Sequence, residues 1–552
     1  MTDTAELIVT GRIATLGDDD PESFGWAEAI AIRGGRIVAS GTRAEVDGLA
    51  GPSTRRLVLS DDEVAMPGIT DSHLHLAETA LAATRVDLHD AATLDEGLAR
   101  IRAGHASLTD SDAWLEGAGW DNDRWGRWPT ALDLEGVAPG RKVALWAHDH
   151  HSLWVSAAAL AAAGVTASTA DPAGGVIRRA ADGSPDGVLN EAAARLVTRH
   201  VPLAGPDTVR AAVRRLVPEL LRLGIVALHD PGGLSLDPSL DRVLAAYRSL
   251  AADGALGVRV HACLRPEQLS NAIDAGLRSG QPLGADPLDR LRLGWLKCFA
   301  DGTLGSRTAA LLEPLDLPGE PPPPNDGFGV WMTEPRDLAD LATRAVDAGI
   351  ATIIHAIGDA AVRVSLDILG PTVGRTPLVP RLEHVQLVAD SDLGRFAALG
   401  VAASVQPVHV RSDAGKARYI WGPRAEVRGY PFGRLARSGA LVSFGTDAPV
   451  EPIDPWPGIA CAVTRAAPDW PAGTAPFGPL DAMSLARALR SACLVPALTA
   501  GERDRGRLVA GHRADLVTMP AAALAEPVEV GGALWHARPD RVLLDGEVVF
   551  EA

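Results

Sequence analysis

Residues 66–75 have the sequence MPGITDSHLH, a short apolar segment that ends in two histidines, His73 and His75. Successive side chains of a β-strand alternate between its two faces, so these imidazoles point the same way. Imidazole is a common ligand of divalent cations such as zinc, and alternate strand positions place two rings within reach of one ion. The segment therefore predicts half of a metal site at the end of a strand.

Apolar strand-like segments alternate with alanine- and leucine-rich helical segments through most of the chain. This alternation predicts an α/β protein with βα units around a parallel sheet, and an eight-stranded TIM barrel, (β/α)8, is the natural candidate. Nine candidate strands begin at Met66, Val143, Ile225, Val258, Leu293, Ala351, Arg381, Val401 and Leu441. Because the segment before Ile225 is far longer than a βα connection requires, we assign the strand near Val143 to an insertion.

Short β-type segments also occupy both ends of the chain, between residues 6 and 40 and between residues 514 and 550. We expect residues 1–65 and 500–552 to form one small composite β-sandwich domain. Residues 66–499 are then the barrel, and residues 77–215 are a large inserted subdomain after strand one, on the substrate side.

Four more predicted strands carry residues suited to metal binding or proton transfer. They are Lys297 in strand four, His355 in strand five, His384 in strand six and Asp447 in strand eight. Active sites of such barrels lie at the C-terminal ends of the strands, where these residues are expected. An isolated ammonium is costly to bury, so Lys297 must be neutralised, paired or chemically modified.

This order of ligands resembles the amidohydrolase superfamily of metal-dependent hydrolases. Three segments are similar to its amidohydrolase-3 branch, which includes N-substituted formamide deformylases: 297–307 (KCFADGTLGSR), 355–360 (HAIGDA) and 447–455 (DAPVEPIDP). The resemblance extends over nearly the whole chain.

The resemblance implies a binuclear metal centre. His73, His75 and Asp447 would bind one ion, His355 and His384 a second, and Lys297 would bridge them as an N-carboxylated lysine. A neutral lysine amine can add carbon dioxide to give a carbamate, which supplies two anionic oxygen ligands. Nitrogen and oxygen donors without thiolate favour two zinc ions, while manganese, iron, cobalt and nickel remain open.

The predicted reaction is hydrolysis of a non-peptide carbon–nitrogen bond in an amide, formamide or carbamate, and this bond class rests on the resemblance. A metal ion lowers the pKa of its bound water toward neutrality, so that hydroxide can attack a carbonyl carbon. We expect Asp447 to accept the proton of the water and to pass it to the leaving nitrogen.

Three alternatives remain open: a single-metal deaminase of a heterocycle, an ester or lactone hydrolase, and a non-catalytic barrel scaffold. Lys297 argues against the deaminase, because a single ion needs no bridging ligand. The complete set of ligands argues against the scaffold.

Other residues are predicted to contact the substrate or to orient a ligand. The predicted substrate contacts are His151, Glu191, His229, Asp301 and Trp120. Trp120 belongs to a tryptophan-rich stretch, whose rings are equally suited to the core of the insertion. Asp359 follows His355 by four residues and could orient it, with capping of a helix N-terminus as the alternative.

Composition narrows the class of protein further. The first residues lack the basic and apolar regions of a secretory signal, and the four scattered cysteines fit a reducing compartment. A formal net charge of −18 disfavours binding to nucleic acid or to anionic membranes. The sequence therefore predicts a cytoplasmic enzyme that acts on a small molecule, and the resemblance is compatible with a homodimer.

Overall fold

The computed structural model describes residues 4–147, 152–172, 175–233, 240–305, 307–317 and 325–552. The chain divides into two compact units. The first comprises Met1–Thr79 and Arg214–Ala552, and the second comprises Ala80–Val213. The second unit falls within the expected insertion at residues 77–215, whereas the division of the first unit into a barrel and a terminal domain stays a prediction.

A barrel of parallel strands forms the centre of the first unit. Within the described residues it has eight strands, numbered here from one to eight: Ile69–Asp71, Ile225–Asp230, Arg259–Leu264, Leu291–Phe299, Thr352–Ala356, Arg381–His384, Ala402–Val405 and Val442–Phe444. Each pairs in parallel with its neighbour in this order. The predicted TIM barrel is confirmed, and the strand near Val143 lies outside it.

Backbone hydrogen bonds join the first and last strands just beyond their C-terminal ends. Ser72 N donates to Phe444 O at 2.9 Å, and Asp447 N donates to His73 O at 2.7 Å. The barrel is therefore closed where strands one and eight meet, which is also where three of the predicted ligands lie.

A second sheet combines strands from both ends of the chain. Its strands are Leu7–Ala14, Trp26–Arg33, Arg36–Gly41, Arg55–Val58, Glu63–Pro67, Leu516–Pro520, Arg541–Leu544 and Glu547–Glu551. Glu63–Pro67 pairs antiparallel with Leu516–Pro520, which confirms that both termini contribute to one sheet.

The start of barrel strand one needs a correction. It was expected at Met66, but Met66 belongs to the terminal sheet and the barrel strand begins at Ile69. Gly68 separates the two strands, and a Cβ atom at this position would lie 2.5 Å from a side-chain methyl of Val226. The close approach of strand two requires a glycine here, and the chain changes sheets at this residue.

The second unit has its own sheet and its own apolar core. Its described strands are Val86–Asp87, Leu115–Trp120, Val143–Ala147, Ser152–Val155, Gly175–Arg179 and Pro185–Glu191. Trp120 and Trp154 are fully buried in this core, and their ring centroids lie 6.3 Å apart.

Helices connect the strands of both units. Those that lie wholly in the first unit are Arg43–Asp47, Leu240–Ala252, Leu269–Asp274, Pro335–Asp347, Asp359–Leu369, Asp390–Leu393, Arg395–Leu399, His409–Ile420, Pro423–Arg428, Phe432–Arg437, Pro455–Thr464 and Leu485–Thr499. Those of the second unit are Leu94–Ser107, Asn122–Trp125, Ala131–Glu135, Ala157–Ala162 and Arg195–Thr198, while Leu76–Ala82 and Pro206–Arg222 span the boundaries. None of the helices in the described part of the chain combines the length and the apolarity that a membrane span requires.

Helix Pro335–Asp347 illustrates why such segments are helical. Proline at its first position loses no hydrogen bond there, because the first turn has free N–H groups in any case. Leu338, Ala342 and Ala345 are buried at helical spacing, so one face packs inward.

Candidate metal centre

The ends of barrel strands one and eight bring His73, His75 and Asp447 together. The Nε2 atoms of both histidines lie 3.4 Å from Oδ1 of Asp447, and all three side chains are buried. These donor atoms are close enough to bind a single cation. The geometry thus assembles three residues that the sequence assigned to one ion.

A network around Asp71 and Gly445 holds these strand ends in position. The Asp71 carboxylate accepts hydrogen bonds from Thr446 Oγ1 at 2.6 Å and from the backbone N of His73 at 3.0 Å. A Cβ atom on Gly445 would lie only 2.5 Å from His73 N. Glycine therefore permits the close contact between the two strands that sets the spacing of the ligands.

Each of the four predicted histidine ligands forms a hydrogen bond through one ring nitrogen. The pairs are His73 Nδ1 with Glu383 Oε2, His75 Nδ1 with Gly232 O, His355 Nε2 with Gly302 O, and His384 Nδ1 with Gln406 Oε1. The partner atoms are oxygens that only accept, so the bonded nitrogen carries the ring hydrogen. The other nitrogen keeps its lone pair, as a metal ligand must.

Burial keeps three of these imidazoles, those of His73, His355 and His384, neutral near pH 7. It lowers the pKa of His73 to about 4 and the pKa of His355 to about 3, and it places the pKa of His384 well below the usual range. Burial alone would raise the pKa of Asp447, but the neighbouring His73 and His384 outweigh it and hold that pKa well below the usual range. The site therefore offers neutral imidazoles and an ionised carboxylate, the donor set that zinc accepts.

Lys297 lies inside barrel strand four with 1% of its surface exposed. Among the described residues, none forms a hydrogen bond or an ion pair with its ammonium, and Nζ lies 4.8 Å from the centre of the Phe299 ring. Burial lowers the pKa of Lys297 to about 8, so the neutral amine is accessible. That is the form able to add carbon dioxide, and the residue fits the predicted bridging role.

Glu383 and Arg381 support the ligands from within the barrel. Glu383 is fully buried, and its second oxygen accepts a 2.7 Å hydrogen bond from Arg381 Nε. Arg381 also donates to Ser72 O at 2.7 Å and stacks on Trp295 at 4.3 Å. Since Glu383 holds Nδ1 of His73, this arginine fixes the orientation of a ligand that it does not touch.

His409 is a further candidate residue of this site, one that the strand patterns in the sequence do not reveal. This residue begins helix His409–Ile420, just after barrel strand seven, and its Nε2 lies 3.6 Å from Oδ2 of Asp447. His384, His409 and Asp447 form a second group able to hold a cation. The available signal was the stretch Gln-Pro-Val-His that follows strand seven, at the edge of the barrel that carries the predicted ligands.

His229 and Asp301, both predicted to contact the substrate, have protein partners. His229 Nδ1 accepts a hydrogen bond from Arg381 Nη1 at 2.8 Å, and its ring packs on Trp295 inside the barrel. Asp301 accepts hydrogen bonds from three backbone N–H groups, those of Ala310, Ile357 and Gly358. Asp301 Oδ1 lies 3.7 Å from Nε2 of His355, so this carboxylate fixes the loops around a ligand.

The remaining predicted residues lie elsewhere. Asp359 accepts a hydrogen bond from the backbone N of Leu312 at 2.8 Å, in the first turn of helix Asp359–Leu369. Trp120 Nε1 donates to Leu145 O at 2.8 Å within the core of the second unit. His151 lies outside the described residues, as does the side chain of Glu191. Contact of His151, Glu191 and Trp120 with substrate, and orientation of a ligand by Asp359, stay predictions.

A parallel barrel that presents imidazoles, a lysine and a carboxylate at the C-terminal ends of its strands has the architecture of a metal-dependent hydrolase. The model of the Amidohydrolase family matches residues 61–550, so the chain belongs to this family, as its motifs predicted.

Individual relatives agree with this assignment. The chain is 31% identical over 478 residues to protein LONG AFTER FAR-RED 3 of Arabidopsis thaliana, covering 84% of this chain and 79% of that protein. It is 28% identical over 541 residues to N-substituted formamide deformylase of Arthrobacter pascens, covering 95% of each. An uncharacterized metal-dependent hydrolase from Pyrococcus horikoshii matches with a TM-score of 0.75 and 26% identity, covering 94% of this chain and 98% of that chain.

Proposed function

We propose that the protein hydrolyses the carbon–nitrogen bond of a non-peptide amide, formamide or carbamate. The single observation that carries this proposal is the set of buried donors at one edge of the barrel, each histidine with one nitrogen already engaged by an acceptor. The likeness to N-substituted formamide deformylase supports the class of bond.

Two divalent ions, with zinc as the first candidate, would be held by buried residues of the barrel. His73, His75 and Asp447 would hold one ion. His355 and His384 would hold the other, with Lys297 as a carbamate between the two ions. When bound, the ions supply Lewis acidity, which activates water and polarises the carbonyl group. Lys297 favours this arrangement over a one-ion deaminase, because its buried amine has no described partner that would explain its position.

Asp447 is the residue that moves the proton. It is ionised, buried and in contact with His73, His75 and His409. From this position its carboxylate accepts the proton that the attacking water releases and delivers it to the leaving nitrogen. Glu383 and Arg381 form an ion pair with each other, and this pair keeps His73 aligned during the proton transfer.

Metal content per chain tests the proposal. Protein purified without chelators and with bicarbonate is analysed by plasma mass spectrometry and by intact mass under native conditions, then assayed on a panel of formamides, amides, carbamates, esters and lactones. We expect two ions per chain, an added carbon dioxide and turnover of a nitrogen-containing substrate.

Other results would assign a different function. One ion with an unmodified Lys297 would indicate a deaminase, and turnover restricted to esters or lactones would exclude the proposed bond class. An absence of bound metal after reconstitution would indicate a non-catalytic barrel.

A further inference from the structure

Arg265 follows barrel strand three at the edge that carries the predicted ligands. Its side chain is buried, with 4% of the residue exposed. Within the described part of the chain the guanidinium makes one hydrogen bond, from Nη1 to Gly233 O at 3.3 Å, while the buried Nε has no partner. No carboxylate of a described residue forms an ion pair with it.

Several other buried arginines of the same unit face carboxylates, while Arg490 donates to three backbone carbonyl oxygens. Arg259 pairs with Asp515 at 3.0 Å and Arg381 pairs with Glu383 at 2.7 Å. A buried guanidinium without an anion is costly, because its lost hydration is not replaced. The absence of an anion beside Arg265 among the described residues therefore requires an explanation.

A second buried arginine of this unit, Arg465, has different surroundings from Arg265. Arg465 is also buried without an ion pair, but it lies between the rings of Phe432 and Phe477 and its Nε donates to Phe477 O at 2.8 Å. Neither ring is in ring contact with a predicted ligand among the described residues. Arg465 is explained by its aromatic neighbours, whereas Arg265 stands at the catalytic edge.

One aromatic ring connects Arg265 with the metal centre. The guanidinium carbon lies 4.6 Å from the centre of the Phe299 ring. The same ring lies 4.8 Å from Lys297 Nζ and 5.2 Å from the ring of His355. A group bound by Arg265 would thus be separated from two predicted ligands by little more than the width of this ring.

We propose that Arg265 binds a carboxylate of the substrate, so that the favoured substrates are amides or formamides with a carboxylate next to the hydrolysed bond. The planar guanidinium matches a carboxylate in shape and charge, and Phe299 supplies an apolar surface beside it. This inference rests on the proposed function, because it concerns the substrate of the same site. The carbamate of Lys297 is a second anion that Arg265 could bind, and the experiment distinguishes it from a carboxylate of the substrate.

The test compares N-formylphenylalanine with N-formylphenethylamine, which lacks only the carboxylate. The enzyme with bound metal is assayed on both, together with the variants Arg265→Met and Arg265→Lys. Arg290→Met is the matched control, since Arg290 also has an unpartnered Nε and one 3.3 Å bond to a carbonyl but precedes strand four at the opposite end of the barrel.

We expect the native protein to prefer N-formylphenylalanine. Arg265→Met should lower kcat/KM for this compound on the order of 10- to 100-fold, mainly through KM, the usual effect of losing a hydrogen bond to a charged group. Turnover of N-formylphenethylamine, metal content and the carbon dioxide adduct should be unchanged, and Arg290→Met should leave both reactions unchanged. Arg265→Lys should retain part of the preference, and it serves as the test variant if Arg265→Met does not fold.

Three results would overturn the inference: no preference in the native protein, an equal loss for both compounds in Arg265→Met, or loss of the carbon dioxide adduct in that variant. Loss of the adduct would show that Arg265 binds the carbamate of Lys297 and not the substrate. If metal-loaded protein hydrolyses neither compound, the wider panel of amides, carbamates, esters and lactones decides on the bond class. Calorimetric titration with N-formylphenylalanine then tests the role of Arg265 separately. Binding of N-formylphenylalanine to the native protein but not to Arg265→Met would then sustain the carboxylate site, and no binding would exclude it.

Discussion

Nε2 of His409 lies 3.6 Å from Oδ2 of Asp447, while the other oxygen of the same carboxylate faces His73 and His75. His409 Nδ1 accepts a 3.1 Å hydrogen bond from Gln386 Nε2, so the nitrogen that faces Asp447 carries the ring hydrogen. His409 is thus arranged as a hydrogen-bond donor, in contrast to the four predicted histidine ligands.

Replacing His409 should reduce turnover without removing metal. We expect His409→Ala to keep two ions per chain and to lower kcat by roughly 100-fold, the scale of losing a donor to the charged group that moves the proton. Metal analysis and steady-state kinetics measure both quantities. Gln386→Glu should also lower kcat, because a carboxylate there would move the ring hydrogen to Nδ1. A drop to one ion in His409→Ala would instead make His409 a ligand.

Asp447→Asn should abolish turnover while most of the metal stays bound. The amide keeps one oxygen near His73 and His75 but cannot accept a proton, and losses from removing such a group are about 100- to 10,000-fold. Metal content and kcat are measured side by side, with the exposed Asp340→Asn as control. An Asp447→Asn enzyme of normal activity would rule out the proton-transfer role.

Lys297→Met should stabilise the metal-free protein and inactivate the enzyme. Without metal the buried amine has no described partner, and replacing a buried charge by an apolar side chain of similar size stabilises by about 1 kcal/mol or more. Thermal unfolding in the presence of a chelator measures the stability of the metal-free protein. The control Lys416→Met, at an exposed position, should change neither this stability nor the activity. A lower Tm for Lys297→Met would show that the amine has a stabilising partner.

Asp515 should make stability depend on pH. Burial by itself would raise the pKa of Asp515, but Arg259 and Arg505 outweigh it and lower that pKa below its usual range. A carboxyl group with a lowered pKa stabilises the fold above its unfolded value of about 3.9, and this contribution is lost as the pH falls further. Asp515→Asn should therefore lower Tm at neutral pH, by the equivalent of about 3 kcal/mol. The difference from the native protein should shrink below about pH 4; a difference independent of pH would contradict this explanation.

Gly445→Ala should weaken metal binding. The added Cβ would lie 2.5 Å from His73 N and 2.8 Å from His73 Cβ, so strands one and eight would have to separate. We expect a loss of metal affinity of about 10- to 100-fold, the range seen when the groups that orient ligands are disturbed. Competition with a chromophoric chelator measures the affinity. Gly394→Ala is the control, because nothing lies within 4 Å of its added Cβ.

The sequence predicted the barrel strands and singled out residues that lie at one edge of the barrel, because both inferences depend on local patterns; the role of these residues as metal ligands stays a prediction. Alternation placed His73 and His75 on one side, and an apolar strand made Lys297 conspicuous. The sequence did not reveal His409, because this residue begins a helix and no strand pattern places it beside Asp447. Spacing along the chain predicts that Asp359 orients His355, yet Asp301 and Gly302 are the groups that lie near Nε2 of His355. Such partners depend on how distant loops pack, which spacing along the chain does not reveal.

The closure between barrel strands one and eight has a consequence for biosynthesis. His73 and His75 leave the ribosome long before Asp447, and the strand Glu63–Pro67 that precedes them pairs with Leu516–Pro520, which is made later still. A nascent chain therefore holds half of a binding site, with no carboxylate to complete it. Metal capture by all three residues must await synthesis of Asp447, and bound metal would then mark molecules in which barrel strands one and eight have met.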